Sequence, residues 1–154
     1  MNGVDSILKH LNRVLANELV AIHQFFLHAR MLRNWGFESL ASHEAEEVAD
    51  ETGHADRLVQ RILFLEGVPN MQDLGHLRIG ADVEQLLRCD LALEMQAIPA
   101  LREAIADCEK LGDYVTRALF ADILASEEQH VDWLETQLRL IARIGVANYL
   151  QSGM

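Results

Sequence analysis

Four long stretches of this chain repeat apolar residues at steps of three and four, and little interrupts them. In the first, Leu8, Leu11, Leu15, Leu19, Ile22, Phe25 and Phe26 form one stripe. In the fourth, Phe120, Ile123, Leu124, Val131, Leu134, Leu138 and Ile141 form another. That period matches the turn of an α-helix, so each stripe predicts an amphipathic helix with one face to bury. Gly36, the run Gly67-Val68-Pro69-Asn70, Gly75, Gly80, Gly112 and Gly145 separate the stretches, which cover roughly 5–35, 38–66, 82–111 and 114–144. No stretch alternates with period two for long enough to make a strand. The prediction is an all-α bundle. Asp5, Asp82 and Asp113 read as N-caps, and Gly112 and Gly145 as residues that close a helix.

Connection lengths set the topology. The links at Gly36 and Gly112 are a few residues long, which makes the helices they join antiparallel pairs. The link 67–81 is different. About fifteen extended residues reach up to ~50 Å, whereas a helix of ~30 residues is ~45 Å long. It can travel the length of the bundle and leave helices two and three parallel. Residues 146–151 suffice for a short fifth helix. Pro99, inside the third stretch, removes a helical hydrogen bond and predicts a kink.

Composition narrows the function classes. With 13 Lys+Arg against 24 Asp+Glu in 154 residues, the net charge is −11. That balance opposes nucleic-acid binding, which draws its affinity from basic surfaces, and suits a protein that handles cations. The length suits one domain over residues 1–154. No apolar run approaches the ~18 residues of a membrane span, and Met1-Asn2-Gly3-Val4-Asp5 lacks the features of a signal peptide. Cys89 and Cys108 form neither a CxxC pair nor a disulfide framework. The expectation is a cytoplasmic protein that binds neither membrane nor nucleic acid.

The informative anomaly is a set of carboxylates where a core should be. Glu18 has Leu11, Val14, Leu15, Ala21, Ile22 and Phe25 as its helical neighbours, and Glu94 has Leu87, Leu91, Ala97, Ile98 and Leu101. An ionised carboxylate so placed costs several kcal/mol unless it is protonated or meets a cation. Glu51 with His54, and Glu127 with His130, are each three apart and share a helix face. Glu94, Glu127 and His130 each follow Glu18, Glu51 and His54 by the same 76 positions. The chain therefore reads as two helix hairpins related by an approximate two-fold axis. Four carboxylates and two imidazoles converge at its centre, and two divalent ions balance that charge. One Glu from each of two helices and Glu-x-x-His from the other two is the di-iron or di-manganese carboxylate pattern.

On these residues the sequence resembles the bacterioferritin branch of the ferritin family. The likeness extends through Asn17-Glu18-Leu19-Val20-Ala21-Ile22-His23-Gln24-Phe25-Phe26-Leu27-His28-Ala29-Arg30-Met31, Arg61-Ile62-Leu63-Phe64-Leu65-Glu66-Gly67, Asp90-Leu91-Ala92-Leu93-Glu94 and His130-Val131-Asp132-Trp133-Leu134-Glu135. The resemblance implies a ferritin-like four-helix bundle with a long crossover between helices two and three and a short fifth helix. It implies self-assembly into a 24-subunit shell. It also implies a ferroxidase centre in each bundle that oxidises Fe²⁺ with O₂ or H₂O₂ and feeds ferric mineral to the shell. Carried over residue by residue, Glu18, Glu51 and His54 hold one iron and Glu94, Glu127 and His130 the other, with Glu51 and Glu127 bridging.

The sequence departs from the family pattern in places. The methionine that holds the family's haem between two subunits is Thr52 here, so a homomeric shell is expected to lack haem b, unless a haem-bearing sister subunit joins it. A tyrosine common near the di-iron site is Phe25, which removes a phenol relay. Of the inner-surface iron site of some bacterioferritins only Asp50 matches. Glu46 replaces the histidine, and with Glu47 the cluster reads first as a solvated acidic face. Met31, Met95, Trp35 and Trp133 read as packing residues, and His23, His28, His43 and His76 as surface or hydrogen-bonding histidines. The resemblance also implies a ferredoxin reductant that helps release iron, but its usual docking place is near the haem that Thr52 does not hold. A stand-alone di-iron or di-manganese oxidase, or a peroxide-reducing rubrerythrin relative, could share the ligand set. A DNA-protecting ferritin relative, with its metal between subunits, and a metal-free helical interaction module are further alternatives.

Overall fold

The computed structural model describes residues 2–152; Met1, Gly153 and Met154, part of the domain expected over 1–154, lie outside the described residues. Five helices follow in order: α1 (Asn2–Asn34), α2 (Glu38–Phe64), α3 (Val83–Leu111), α4 (Tyr114–Ile144) and α5 (Val146–Ser152). Among the described residues there is no strand, and no helix is long and apolar enough to cross a membrane.

Asp82 accepts from the Gln85 amide and Asp113 from the Thr116 amide, so both cap their helices as expected. Gly112 closes α3 in the left-handed region at φ 77°, where a side chain would be strained. Asp5 is not a cap. The first helix already begins at Asn2, and Asp5 lies in its first turn, where a carboxylate meets the positive end of the helix dipole. Pro99, where a kink was expected, lies inside α3, which continues through it. Pro99 and Met95 both lie exposed along a surface cleft between α3 and α4. Met95, 55 % exposed, is therefore not the core residue it was expected to be.

Cross-helix pairs give the directions. Ser6 bonds Asp107, Arg13 pairs with Glu103, and Gln24 and His28 both bond Asp90, so α1 and α3 are antiparallel. Arg57 pairs with Asp122 and Arg61 with Thr116, so α2 and α4 are antiparallel as well. Leu11 and Leu15 share one end of the core with Leu58 and Ile62, and Leu32 the other with Leu40 and Ala41, so α1 and α2 are antiparallel too. Helices α2 and α3 consequently run parallel, as the crossover length predicted. That crossover follows α1 closely. The Asn12 side chain donates to the Val68 carbonyl and accepts from the Asn70 amide. Farther along, the Arg78 amide donates to Gln24 and the Gly80 amide to His28. Gly80 is required, because a Cβ there would lie 2.2 Å from the Leu86 nitrogen.

The core has two apolar ends. Ile7, Leu11, Leu15, Leu58, Ile62, Leu101 and Phe120 fill one, while Leu32, Leu40, Leu86, Leu87, Leu134 and Tyr149 fill the other. Between them sits a thinner group of Val20, Ala21, Phe25 and Leu93. The polar residues described next occupy that middle layer.

Candidate metal centre

Each sequence-predicted group comes from the middle of a long helix, where backbone hydrogen bonds hold its Cα fixed. Glu18, Glu51, Glu94, Glu127 and His130 are each no more than 3 % exposed, and the His54 side chain is 13 % exposed. His54 Nδ1 lies 3.5 Å from Glu18, 3.6 Å from Glu51 and 3.8 Å from Glu127. These four residues each offer a ligand atom, all within 4.8 Å of one another. The separations exceed a normal hydrogen bond. Glu18 Oε2, Glu51 Oε2, Glu127 Oε1 and His54 Nδ1 have no hydrogen-bond partner, although they are shielded from solvent. Unpaired buried polar atoms at this density are costly. A cation among them would satisfy all four at once, so this donor set fits a divalent metal.

His130 forms the second half. Its Nδ1 lies 3.8 Å from Glu94 and 3.6 Å from Glu47, and neither ring nitrogen has a hydrogen-bond partner. Burial, followed by the charges of Glu51 and Glu47, pushes the Glu94 carboxyl well above the ordinary carboxylate range. Without a cation Glu94 takes up a proton. Glu47 was expected on a solvated face with Glu46 and Asp50, yet the structure separates them. Glu46 and Asp50 are exposed, whereas Glu47 turns inward and burial raises its pKa.

The surroundings are dry on one side and polar on the other. Phe25 meets the His130 ring edge-on at 5.2 Å, and Ile98 and Leu134, one turn beyond Glu94 and His130 on their helices, are buried, with Ile22 partly buried. His43 stacks on Trp133, centroids 3.5 Å apart and planes 6° apart. Burial, then the charge of His130, lowers its pKa to about 4, so the imidazole is neutral at physiological pH.

Beneath lies a fully buried polar knot that sequence reasoning missed. His28 was expected as a surface or hydrogen-bonding residue; it is hydrogen-bonded, but completely buried. Its Nε2 accepts from the Gly80 amide, which leaves the proton on Nδ1 to donate to Asp90. Gln24 donates to the same Asp90 oxygen. Burial alone would raise the Asp90 pKa, but Glu44, His28 and Gln24 outweigh it and hold the group ionised. Burial and then the Asp90 charge push Glu44 well above its ordinary value, so Glu44 is protonated beside it. Although His28, Glu44 and Asp90 are close enough to hold an ion, both ring nitrogens of His28 are already committed, and the knot ties the crossover to the bundle. Position offered a signal for these residues. Glu44 and Glu47 precede Glu51 by two turns and one turn, and Asp90 precedes Glu94 by one.

Thr52 is exposed, and its hydroxyl donates to the Val48 carbonyl of its own helix. It has no thioether to offer a haem iron, so this position does not fit the group. Cys89 and Cys108 are free thiols, as the spacing implied.

Comparison with known proteins agrees with this architecture. The ferritin family profile, described as a ferritin-like domain, matches residues 8–144. A bacterioferritin of Brucella melitensis biotype 1 is 46 % identical over 151 residues, covering 98 % of this chain and 94 % of its own. A bacterial ferritin of a Synechocystis species is 46 % identical over 155 residues, covering 100 % and 99 %. A bacterioferritin of Mycolicibacterium paratuberculosis is 45 % identical over 149 residues, covering 97 % and 94 %. With the helix order, the long crossover and near-complete coverage in agreement, the chain belongs to the ferritin family, on its bacterioferritin branch.

Proposed function

We propose that the protein is an iron-storage ferritin subunit that oxidises Fe²⁺ at a binuclear site inside its own bundle and stores the ferric product as mineral in a shell of 24 copies. The observation that carries this reading is the set of unpartnered donor atoms on Glu18, Glu51, His54, Glu94, Glu127 and His130, buried between two apolar ends. Glu18, Glu51 and His54 bind one Fe²⁺, and Glu94, Glu127 and His130 the other. Glu51 and Glu127 would bridge the two ions.

Iron here is the substrate. Each Fe²⁺ gives up one electron, so a filled site supplies the two electrons that reduce O₂ to H₂O₂, or H₂O₂ to two waters. Carboxylate and imidazole donors suit both iron oxidation states. The four carboxylates must be ionised to bind, so cation entry displaces the proton that Glu94 otherwise holds. Phe25, Ile98 and Leu134 keep bulk water from the pair. Because position 25 is a phenylalanine, electrons come from iron and not from a neighbouring phenol. With Thr52 in place of a thioether, the homomer works without haem b; a haem-bearing sister subunit or a ferredoxin reductant is not needed for the oxidation itself.

The test is rapid Fe²⁺ oxidation by the unaltered protein beside Glu127→Ala, with sizing of both by light scattering. Fast oxidation by a 24-subunit particle, lost in the variant, supports the reading. Equal initial rates overturn the site, and a monomer or dimer that oxidises iron points to a stand-alone oxidase.

A further inference from the structure

The proposed binuclear set leaves two groups beside it unused. His43 and Glu47, both on α2, meet His130 of α4, and the three offer ligand atoms within 4.8 Å of one another. Glu47 Oε2 is 3.6 Å from His130 Nδ1, and Glu47 Oε1 is 3.9 Å from His43 Nε2. None of these contacts is a hydrogen bond, and His43 Nδ1 and both nitrogens of His130 have no hydrogen-bond partner at all. His130 is itself 3 % exposed. The stack on Trp133 fixes the His43 ring, so its nitrogens are held in place before any ion arrives.

We propose that His43, Glu47 and His130 form a third divalent-cation position, next to the binuclear site, through which Fe²⁺ passes between that site and the cavity beside α5. Two imidazoles and a carboxylate make a donor set for Fe²⁺, Co²⁺ or Zn²⁺. His130 Nδ1 stands at nearly equal reach of Glu94 (3.8 Å) and Glu47 (3.6 Å). An ion held on that nitrogen can exchange one carboxylate for the other with a short displacement. On its far side His43 lines a cavity of about 610 Å³ together with Glu46, Trp133, Gln137 and Tyr149. Glu46 places a further carboxylate at that opening. The route therefore runs from buried Glu94, past His130 and Glu47, to His43 and solvent. It rests on the binuclear reading only through His130, which the two positions share.

Crystals of the assembled protein soaked in Zn²⁺ and recorded at the zinc edge test it. An anomalous peak bounded by His43, Glu47 and His130, absent from His43→Leu crystals while peaks near Glu18 and His54 persist, supports the proposal. Peaks near Glu18 and His54 with none beside His43 in the unaltered protein overturn it and leave the binuclear site standing. A peak beside His43 with none near Glu18 or His54 supports the third position and overturns the binuclear reading. Equilibrium dialysis against Co²⁺ provides a second measurement: His43→Leu should bind one of its ions more weakly, and a binding isotherm identical to that of the unaltered protein overturns the proposal.

Discussion

Glu18 and His54 face each other across 3.5 Å, Oε2 to Nδ1, with no hydrogen bond between them. Two helices thus hold a carboxylate and an imidazole at a spacing that neither pair nor solvent satisfies. Glu18→Gln keeps the shape and removes the charge. Changing a residue that merely orients a ligand costs ~10–100-fold in metal affinity or activity, so losing Glu18 should slow Fe²⁺ oxidation by at least about 100-fold. The metal-free variant should melt no lower than the unaltered chain, because a neutral amide of the same shape replaces a buried, unpartnered carboxyl. Stopped-flow oxidation and calorimetry on one preparation separate the two effects.

Cation binding should raise stability by mass action. An ion present at 100 times its dissociation constant adds about 2.7 kcal/mol per site. The chelated protein should therefore melt at a lower temperature than protein loaded with Zn²⁺ or anaerobic Fe²⁺. Coincident melting curves would argue that the inward carboxylates bind no metal.

Glu44, which neither proposed cation position uses as a ligand, offers a pH test. Burial and the Asp90 charge hold its folded-state pKa well above the ordinary value. In the folded state Glu44 keeps a proton that the unfolded chain releases, so stability falls as pH rises from the ordinary carboxylate value toward the raised one. Glu44→Gln mimics the protonated form and should remove that slope. Its advantage over the unaltered chain, read by urea unfolding, should grow from pH 5 to pH 8.

Asp113 has the opposite sign. The burial effect is outweighed by bonds from Thr116 and by Arg61, 3.1 Å away, so its pKa lies below the ordinary value. Its stabilisation is present above the unfolded-state pKa of ~3.9 and is lost as pH falls through the lower folded value. Asp113→Ala removes the cap of α4 and should cost about 1–2 kcal/mol at neutral pH. Asp113→Asn should retain part of the cap but flatten the acid limb of the stability curve.

Haem content gives a test independent of iron oxidation. A homomer with Thr52 should purify without stoichiometric Soret absorption, and Thr52→Met should gain haem when it is supplied during refolding. A full Soret band in the unaltered homomer would contradict the reading of this position.

Much of the bundle was legible because helical period and turn chemistry act locally. The stripes led by Leu11 and Phe120, and the caps at Asp82 and Asp113, each depend on residues within a few positions. The shared 76-residue offset made the six inward groups visible for the same reason, since the repeat is written along the chain. What could not be read depends on pairing between helices. Whether Glu47 or Glu46 faces His130 is decided by the rotation of α2 against α4, and whether His43 finds Trp133 by their axial register. His28 looked ordinary because its partners, Asp90 and the Gly80 amide, lie 62 and 52 positions away. Asp5 misled because a good cap residue stands equally well in a first turn.

The crossover lies along α1 with residues 71–79 exposed, and both of its ends are gripped by side chains of α1. Severing the chain there would leave two fragments still laced together. Gln24 and His28 of the first fragment would hold the amides of Arg78 and Gly80 in the second, and Glu127 of the second would still reach the corner held by Glu18, Glu51 and His54 of the first. A molecule nicked in the crossover should therefore behave as a complementing pair, held more tightly once divalent ions are added.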